Sequence, residues 1–250
     1  MILDTFERYK HNLFLSPITS GTVENFGNRC GLTESSSVLD VACGKGGAAL
    51  TLAEKFECVV TCVEPRAEFA EEARRRTVFG DLDHLVNILD SPADEFPFDD
   101  FYFDLALMLG NTCPLNFDKI VNELTRVVRR GGWIALSEIA WKPGAPDSAT
   151  PSVIDWSKGF TPLRIAGLEK RTAEFIDAGF HVEFAELETD AAWENYYAPQ
   201  ARSIIENRLE YNGSAEAQTT LGEWRNELNR YHTGGGKESV GYACYLLRCP

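Results

Sequence analysis

Ten consecutive residues restrict the fold of this chain more than any others. In Val38-Leu39-Asp40-Val41-Ala42-Cys43-Gly44-Lys45-Gly46-Gly47 an apolar run of strand composition ends in glycines, and Ala48 to Lys55 continues as a helix. Glycine lets a backbone turn tightly and approach a ligand, because no Cβ intervenes. The start of the helix adds unpaired N–H groups and the positive end of a dipole. A second apolar run, Cys58 to Val63, ends in Glu64, whose carboxylate can accept hydrogen bonds from two ribose hydroxyls. Loop and downstream acid together point to a nucleoside ligand.

Two nucleoside cofactors fit that frame. Gly44 to Ala49 reads G-x-G-x-x-A, and Glu64 follows about 20 residues on, as in a dinucleotide fingerprint. Asp40 favours the other cofactor. A carboxylate beside the loop repels a pyrophosphate, whereas S-adenosylmethionine carries an ammonium and a sulfonium. The spacing D-x-x-x-G-x-G, from Asp40 to Gly46, resembles the first motif of class I S-adenosylmethionine-dependent methyltransferases. The local alternative is a glycine turn with Asp40 as a helix cap; Glu64, placed where a cofactor needs it, weighs against that.

The rest of the chain predicts one α/β domain. Strands are expected at Val38–Ala42, Cys58–Val63, Val86–Leu89, Phe103–Leu109, Trp133–Ile139, from Phe180, and at Tyr242–Arg248. Helices are expected at Gly46–Phe56, Ala67–Arg76, from Phe117 to Val128, and before Gly179, a natural left-handed cap. Such alternation gives a mostly parallel, seven-stranded, doubly wound sheet with an antiparallel last strand. Residues 1–36 read as a helical cap: Phe6, Tyr9, Leu13 and Phe14 recur at helical spacing, Ser16-Pro17 breaks the run, and a second short helix is expected over Gly21 to Cys30. Residues 37–190 and 238–250 form the Rossmann-like core. Residues 191–237 read as a helical lid, hinged at Gly234-Gly235-Gly236.

The balance of 24 basic against 38 acidic residues gives a net charge of −14, which argues against nucleic acid as a partner. No apolar run is long enough to span a bilayer, and no leader pattern opens the chain. A cytoplasmic protein, monomeric or homodimeric, is expected. The seven cysteines form no C-x-x-C pair and read as buried small hydrophobes. The four histidines are scattered, so no metal site is expected.

The family resemblance extends from Val38 to Arg248. It rests on the glycine motif, on Glu64, on EFPFDDFYFD (Glu95 to Asp104), on VVRRGGWIAL before the fifth strand and on FIDAGF before the sixth. SEIAW (Ser137 to Trp141), WENYY (Trp193 to Tyr197) and ESVGYACYLLR (Glu238 to Arg248) resemble a branch with helices inserted before the last strand. The resemblance implies S-adenosylmethionine as cofactor and methyl transfer to a small molecule, with nitrogen or oxygen nucleophiles favoured. It assigns the cofactor to Asp40, Ala42, Gly44, Gly46, Glu64, Pro65, Asp90, Ser91 and Leu109. The adenine-facing acid is Asp90 by strand position, or Asp94 if the third strand is longer. Lys45 departs from the pattern, and is read as facing solvent or as a structural pair. A non-catalytic cofactor-binding regulator and a nicotinamide-dependent oxidoreductase are the alternatives.

Methyl transfer from a sulfonium is an in-line displacement, so orientation supplies much of the acceleration. A hydroxyl nucleophile also needs a base. Acceptor pockets of open α/β sheets lie beyond the carboxyl ends of the strands. Asn111, with Thr112 and Cys113 beside it, and Glu138 are expected to face the acceptor. Trp141, Trp193 and Tyr197 are the expected aromatic wall. Glu138, Tyr196 and His232 are the catalytic candidates, and His181 is read as solvated.

Overall fold

The computed structural model describes residues 3–91, 97–110, 117–158 and 165–250. Asn111, Thr112, Cys113 and Asp94 lie outside them. In chain order come α1 (Thr5–Arg8), α2 (Ser20–Cys30), β1 (Ser37–Val41), α3 (Gly47–Phe56), β2 (Val59–Val63), α4 (Ala67–Phe79) and β3 (Val86–Leu89). Next are β4 (Phe103–Leu109), α5 (Phe117–Val127), β5 (Val128–Trp141), α6 (Pro151–Ser157), α7 (Leu168–Asp177) and β6 (His181–Leu187). The chain ends with α8 (Asp190–Glu210), α9 (Ala215–His232), α10 (Gly236–Ser239) and β7 (Val240–Arg248).

The seven strands form one sheet of order β3-β2-β1-β4-β5-β7-β6. The first five positions are parallel, and β7 runs antiparallel to both β5 and β6. Because successive strand residues point to opposite faces, the core divides in two. On one face Val38, Ala135, Tyr242 and Cys244 meet α2, α3, α8 and α9. On the other Leu39, Leu136, Ala243 and Tyr245 meet α5 and α7. Strand order reverses beside β1, with β2 on one side and β4 on the other, which opens a crevice at their carboxyl ends.

Two expectations change. In the N-terminal region α2 stands where the second helix is expected, but the first helix is shorter: α1 is one turn, and residues 9–18 run irregularly across the glycine loop. Tertiary contacts override local propensity there. Phe6 stacks on Phe69, Tyr9 on Tyr196, and Phe14 lies against Gly47. Second, β5 runs on to Trp141, because β7 pairs with it as far as Trp141 opposite Val240. The glycines after α9 are closely packed. A Cβ on Gly236 would stand 2.7 Å from the Tyr231 Cα, and one on Gly234 2.8 Å from the Arg230 carbonyl.

The insertion between β6 and β7 carries its own aromatic stack. Trp193 lies face to face with Tyr231 at 4.4 Å and edge-on to Tyr242 of β7 at 6.1 Å. Trp193, Tyr197 and Tyr231 are all buried, so the stack joins α8 and α9 to the sheet as core.

Candidate functional site

The glycine loop sits where β1 feeds α3. Gly44 (φ 58°) and Gly46 (φ 78°) take left-handed conformations, which favour glycine. Ala42 is also left-handed (φ 55°), an uncommon state for a residue with a Cβ. Gly46 caps α3 without a side chain, and of the first helical N–H groups that of Ala49 meets the Asp40 carboxyl instead.

Two carboxyl groups underlie the loop. Glu64, at the end of β2, is buried and accepts the Gly44 N–H at 2.8 Å and the Arg66 N–H at 3.0 Å. Burial raises its pKa, against the lowering effect of those two N–H groups. Asp40 is not at the mouth of the loop but buried beneath it, 2 % exposed. Burial first, and the Glu64 charge second, push its carboxyl up to about 7, while the Ala49 N–H lowers it. Its Oδ2 has no hydrogen-bond partner. An orphaned carboxylate oxygen beside a second acid is a place for a cation, and a poor one for a pyrophosphate.

Residues 9–18 cover this loop. The Leu15 side chain approaches Gly44 so closely that a Cβ there would stand 2.8 Å from Leu15 Cδ1. Lys45 does not face solvent: it is fully buried, donates to the Tyr9 carbonyl and lies 4.8 Å from the centre of the Phe6 ring. Burial, helped by the nearby Arg76 charge, lowers its pKa to about 8. The segment is held from its other side as well. The Tyr9 and Tyr196 hydroxyls are 2.8 Å apart, and Arg8 donates to Gln200 at 2.7 Å.

A polar cluster missing from the sequence-based set closes the carboxyl ends of β4 and β5. Ser137 Oγ accepts the Gly110 N–H at 3.0 Å and lies 3.3 Å from the Tyr242 hydroxyl. That hydroxyl also bonds Ser16. Ser137 carried a signal, as a small polar residue inside the apolar run Trp133 to Ile139. Ser16 and Tyr242 carried none, since only the fold brings residues 16 and 242 together.

The acceptor-side candidates separate. Glu138 follows Ser137, so it points to the opposite face of the sheet. There Arg171 holds it with contacts of 2.7 and 3.3 Å, and Tyr245 OH lies 3.5 Å away. It is buried and ion-paired there, and it lines a small cavity with Met108, Phe175 and Tyr245. His232 is on the outer end of α9, 3.7 Å from Glu194, and His181 is exposed. Trp193 and Tyr197 are buried in the aromatic stack, and Trp141 packs on the edge of the same core. Tyr196 lines a cleft of about 230 Å³ between residues 12–20 and α8. Asp90 pairs with Arg74 of α4 at 2.6 Å and is more than half exposed. Ser91 and Leu109 are partly buried at the ends of β3 and β4, and Pro65 is exposed.

The fold has counterparts among known proteins. Residues 39–136 match the family model described as a methyltransferase domain. The 27-O-demethylrifamycin SV methyltransferase of Amycolatopsis mediterranei is 24% identical over 94% of this chain and 85% of its own. The sarcosine/dimethylglycine N-methyltransferase of Halorhodospira halochloris is also 24% identical, over 87% of this chain and 76% of its own. A SAM-dependent methyltransferase from Thiobacillus denitrificans, crystallised with S-adenosyl-L-homocysteine, superposes with a TM-score of 0.88 at 20% identity, covering all of both chains.

Proposed function

We propose that this chain, a class I S-adenosylmethionine-dependent methyltransferase acting on a small molecule, methylates an oxygen or nitrogen nucleophile presented at the carboxyl ends of β4 and β5. The observation that carries the reading is the buried, unpartnered Asp40 Oδ2 beneath a loop whose downstream acid is Glu64. Both are acceptors, and they suit a ligand that brings a cation and ribose hydroxyls. A dinucleotide would bring a pyrophosphate to the same two acids, which disfavours the oxidoreductase reading.

In this reading Asp40 holds the cationic end of the cofactor and Glu64 the ribose hydroxyls. Gly44 and Gly46 admit the ligand to the backbone, and α3 turns its N-terminus toward it. Bound there, the cofactor supplies an electrophilic methyl carbon on a sulfonium. Residues 9–18 lie over the loop and keep water from it. Ser16, Ser137 and Tyr242 fix the end of β4, where the nucleophile must line up behind that carbon. The adenine edge is assigned to the end of β3 at Asp90 and Ser91. For Asp90 this requires its carboxylate to leave Arg74.

Titration calorimetry with S-adenosylmethionine tests cofactor binding, and transfer of its labelled methyl group into fractionated metabolites tests turnover. Micromolar binding, on the order of −8 kcal/mol, with a labelled product is expected. Binding without any transfer would leave a regulatory cofactor-binding protein in its place, and binding of NADH alone would overturn the reading.

A further inference from the structure

The cleft between the N-terminal segment and α8 has a chemistry of its own. It adjoins the methyl-transfer site through Ser16, which lines it and also bonds Tyr242 at the end of β4. Its polar lining is neutral: Asn12, Ser16, Thr19, Ser20 and Asn195. Leu13, Phe14 and Ile18 supply an apolar wall, and no charged side chain lines it among the described residues.

Asn12 is the informative member. It is 2 % exposed, and its Nδ2 donates to the Tyr196 carbonyl at 3.0 Å, which fixes the orientation of the amide. Its Oδ1 has no partner. A buried amide oxygen without a partner costs free energy unless a ligand donates to it. Opposite in character, the start of α2 reaches the cleft through its cap Thr19 and through Ser20 with no acidic residue in the first turn; Thr19 Oγ1 takes the Thr22 N–H at 3.1 Å, which leaves the Ser20 and Gly21 N–H groups as donors. The ligand must therefore donate to one wall and accept from the other. A hydroxyl does both. A carboxylate accepts only, and would place its charge against Asn12 Oδ1.

We infer that this cleft selects a neutral, hydroxyl-bearing and partly apolar acceptor, read by Asn12 and the first turn of α2, and rejects carboxylates. The inference rests on the methyltransferase reading above. It separates this chain's acceptor from the amino-acid substrate in the name of its Halorhodospira relative.

The test uses the full chain saturated with S-adenosylhomocysteine, so that no probe is consumed. The probes are two matched pairs: phenyl β-D-glucoside with phenyl β-D-glucuronide, and benzyl alcohol with benzoate. Binding is read by saturation-transfer NMR and competition. At least one neutral member should bind, with its acid at least about tenfold weaker, and Asn12→Leu should weaken the neutral probe about tenfold while leaving S-adenosylhomocysteine affinity intact. Asn195→Lys, on the exposed wall of the cleft, cannot disturb the core. It should strengthen binding of the acids and leave the neutral probes unchanged. Acids binding as tightly as their neutral partners, no binding by either neutral probe, or an Asn195→Lys variant without effect on the acids would overturn the inference. A chain that binds probes as described but transfers no methyl group would leave the cleft assignment standing and remove the enzymatic reading. Failure to bind S-adenosylhomocysteine would overturn both.

Discussion

Asp40→Asn should make the protein more stable and its cofactor binding weaker, and the size of both effects follows from one buried carboxyl. The Asp40 pKa rises from 3.8 to about 7 in the folded chain, a shift equivalent to about 4 kcal/mol. The sign is that of a raised acid. Stability contributed by the neutral carboxyl is complete below about pH 4, where the unfolded chain is also protonated, and is lost as pH rises through about 7. At pH 8 the ligand-free protein therefore carries an ionised carboxylate beside Glu64 with no partner for Oδ2. Asparagine keeps the shape and an acceptor for the Ala49 N–H while removing the charge. Asp40→Asn should raise stability at pH 8 by roughly 2–4 kcal/mol, on the order of 5–10 °C in Tm for a chain of this size. The gain should shrink toward pH 4. Binding should change the other way. A cation at Oδ2 ionises Asp40, so wild-type protein should release protons on binding S-adenosylmethionine near pH 6 and none near pH 8.5. Calorimetry in buffers of different ionisation enthalpy reads that release directly. Asp40→Asn should abolish it and weaken binding at pH 8 by about tenfold or more, the scale of a charged hydrogen bond. Equal melting curves for wild type and variant at pH 8, or proton release unchanged in the variant, would refute the reasoning.

Other substitutions test neighbouring parts of the site. Glu64→Gln should weaken S-adenosylmethionine binding by about 1.5–3 kcal/mol in calorimetry, and should lower the Asp40 pKa by removing the nearby charge, read as a shift of the proton-release midpoint to lower pH. Gly44→Ala should destabilise the chain by about 1–2 kcal/mol in urea unfolding, because φ is 58° and the new Cβ meets Leu15; Leu15→Ala should recover part of the loss in a double-mutant cycle. Glu138→Ala should cost about 2–4 kcal/mol, since it takes the buried carboxylate from Arg171 in the core and leaves that cation to the more exposed Glu174, yet leave cofactor affinity unchanged; a change in affinity with unchanged stability would place Glu138 in the functional site.

The sequence alone determined what local chemistry and periodicity encode. Apolar strand runs, glycines before a helix and acids closing two strands are short-range patterns, and the strands at 86–89 and 103–109 and the glycine loop stand where those patterns place them. The same holds for α9 in the insertion before the last strand, which follows from the spacing of Leu221, Trp224 and Leu228. Tertiary structure decided which polar groups meet. Ser137 and Glu138 are neighbours in sequence, but strand alternation sends one to Tyr242 and the other to Arg171 on opposite faces of the sheet. The N-terminal segment has a helical spacing of aromatics that a one-turn helix does not use, because Lys45, Phe69 and Tyr196 bind those residues better than a helix would. Asn12 is an ordinary amide in the sequence. It becomes a candidate reader of the acceptor only because residues 12 and 196 are brought together, and no pattern shorter than the whole fold records that contact.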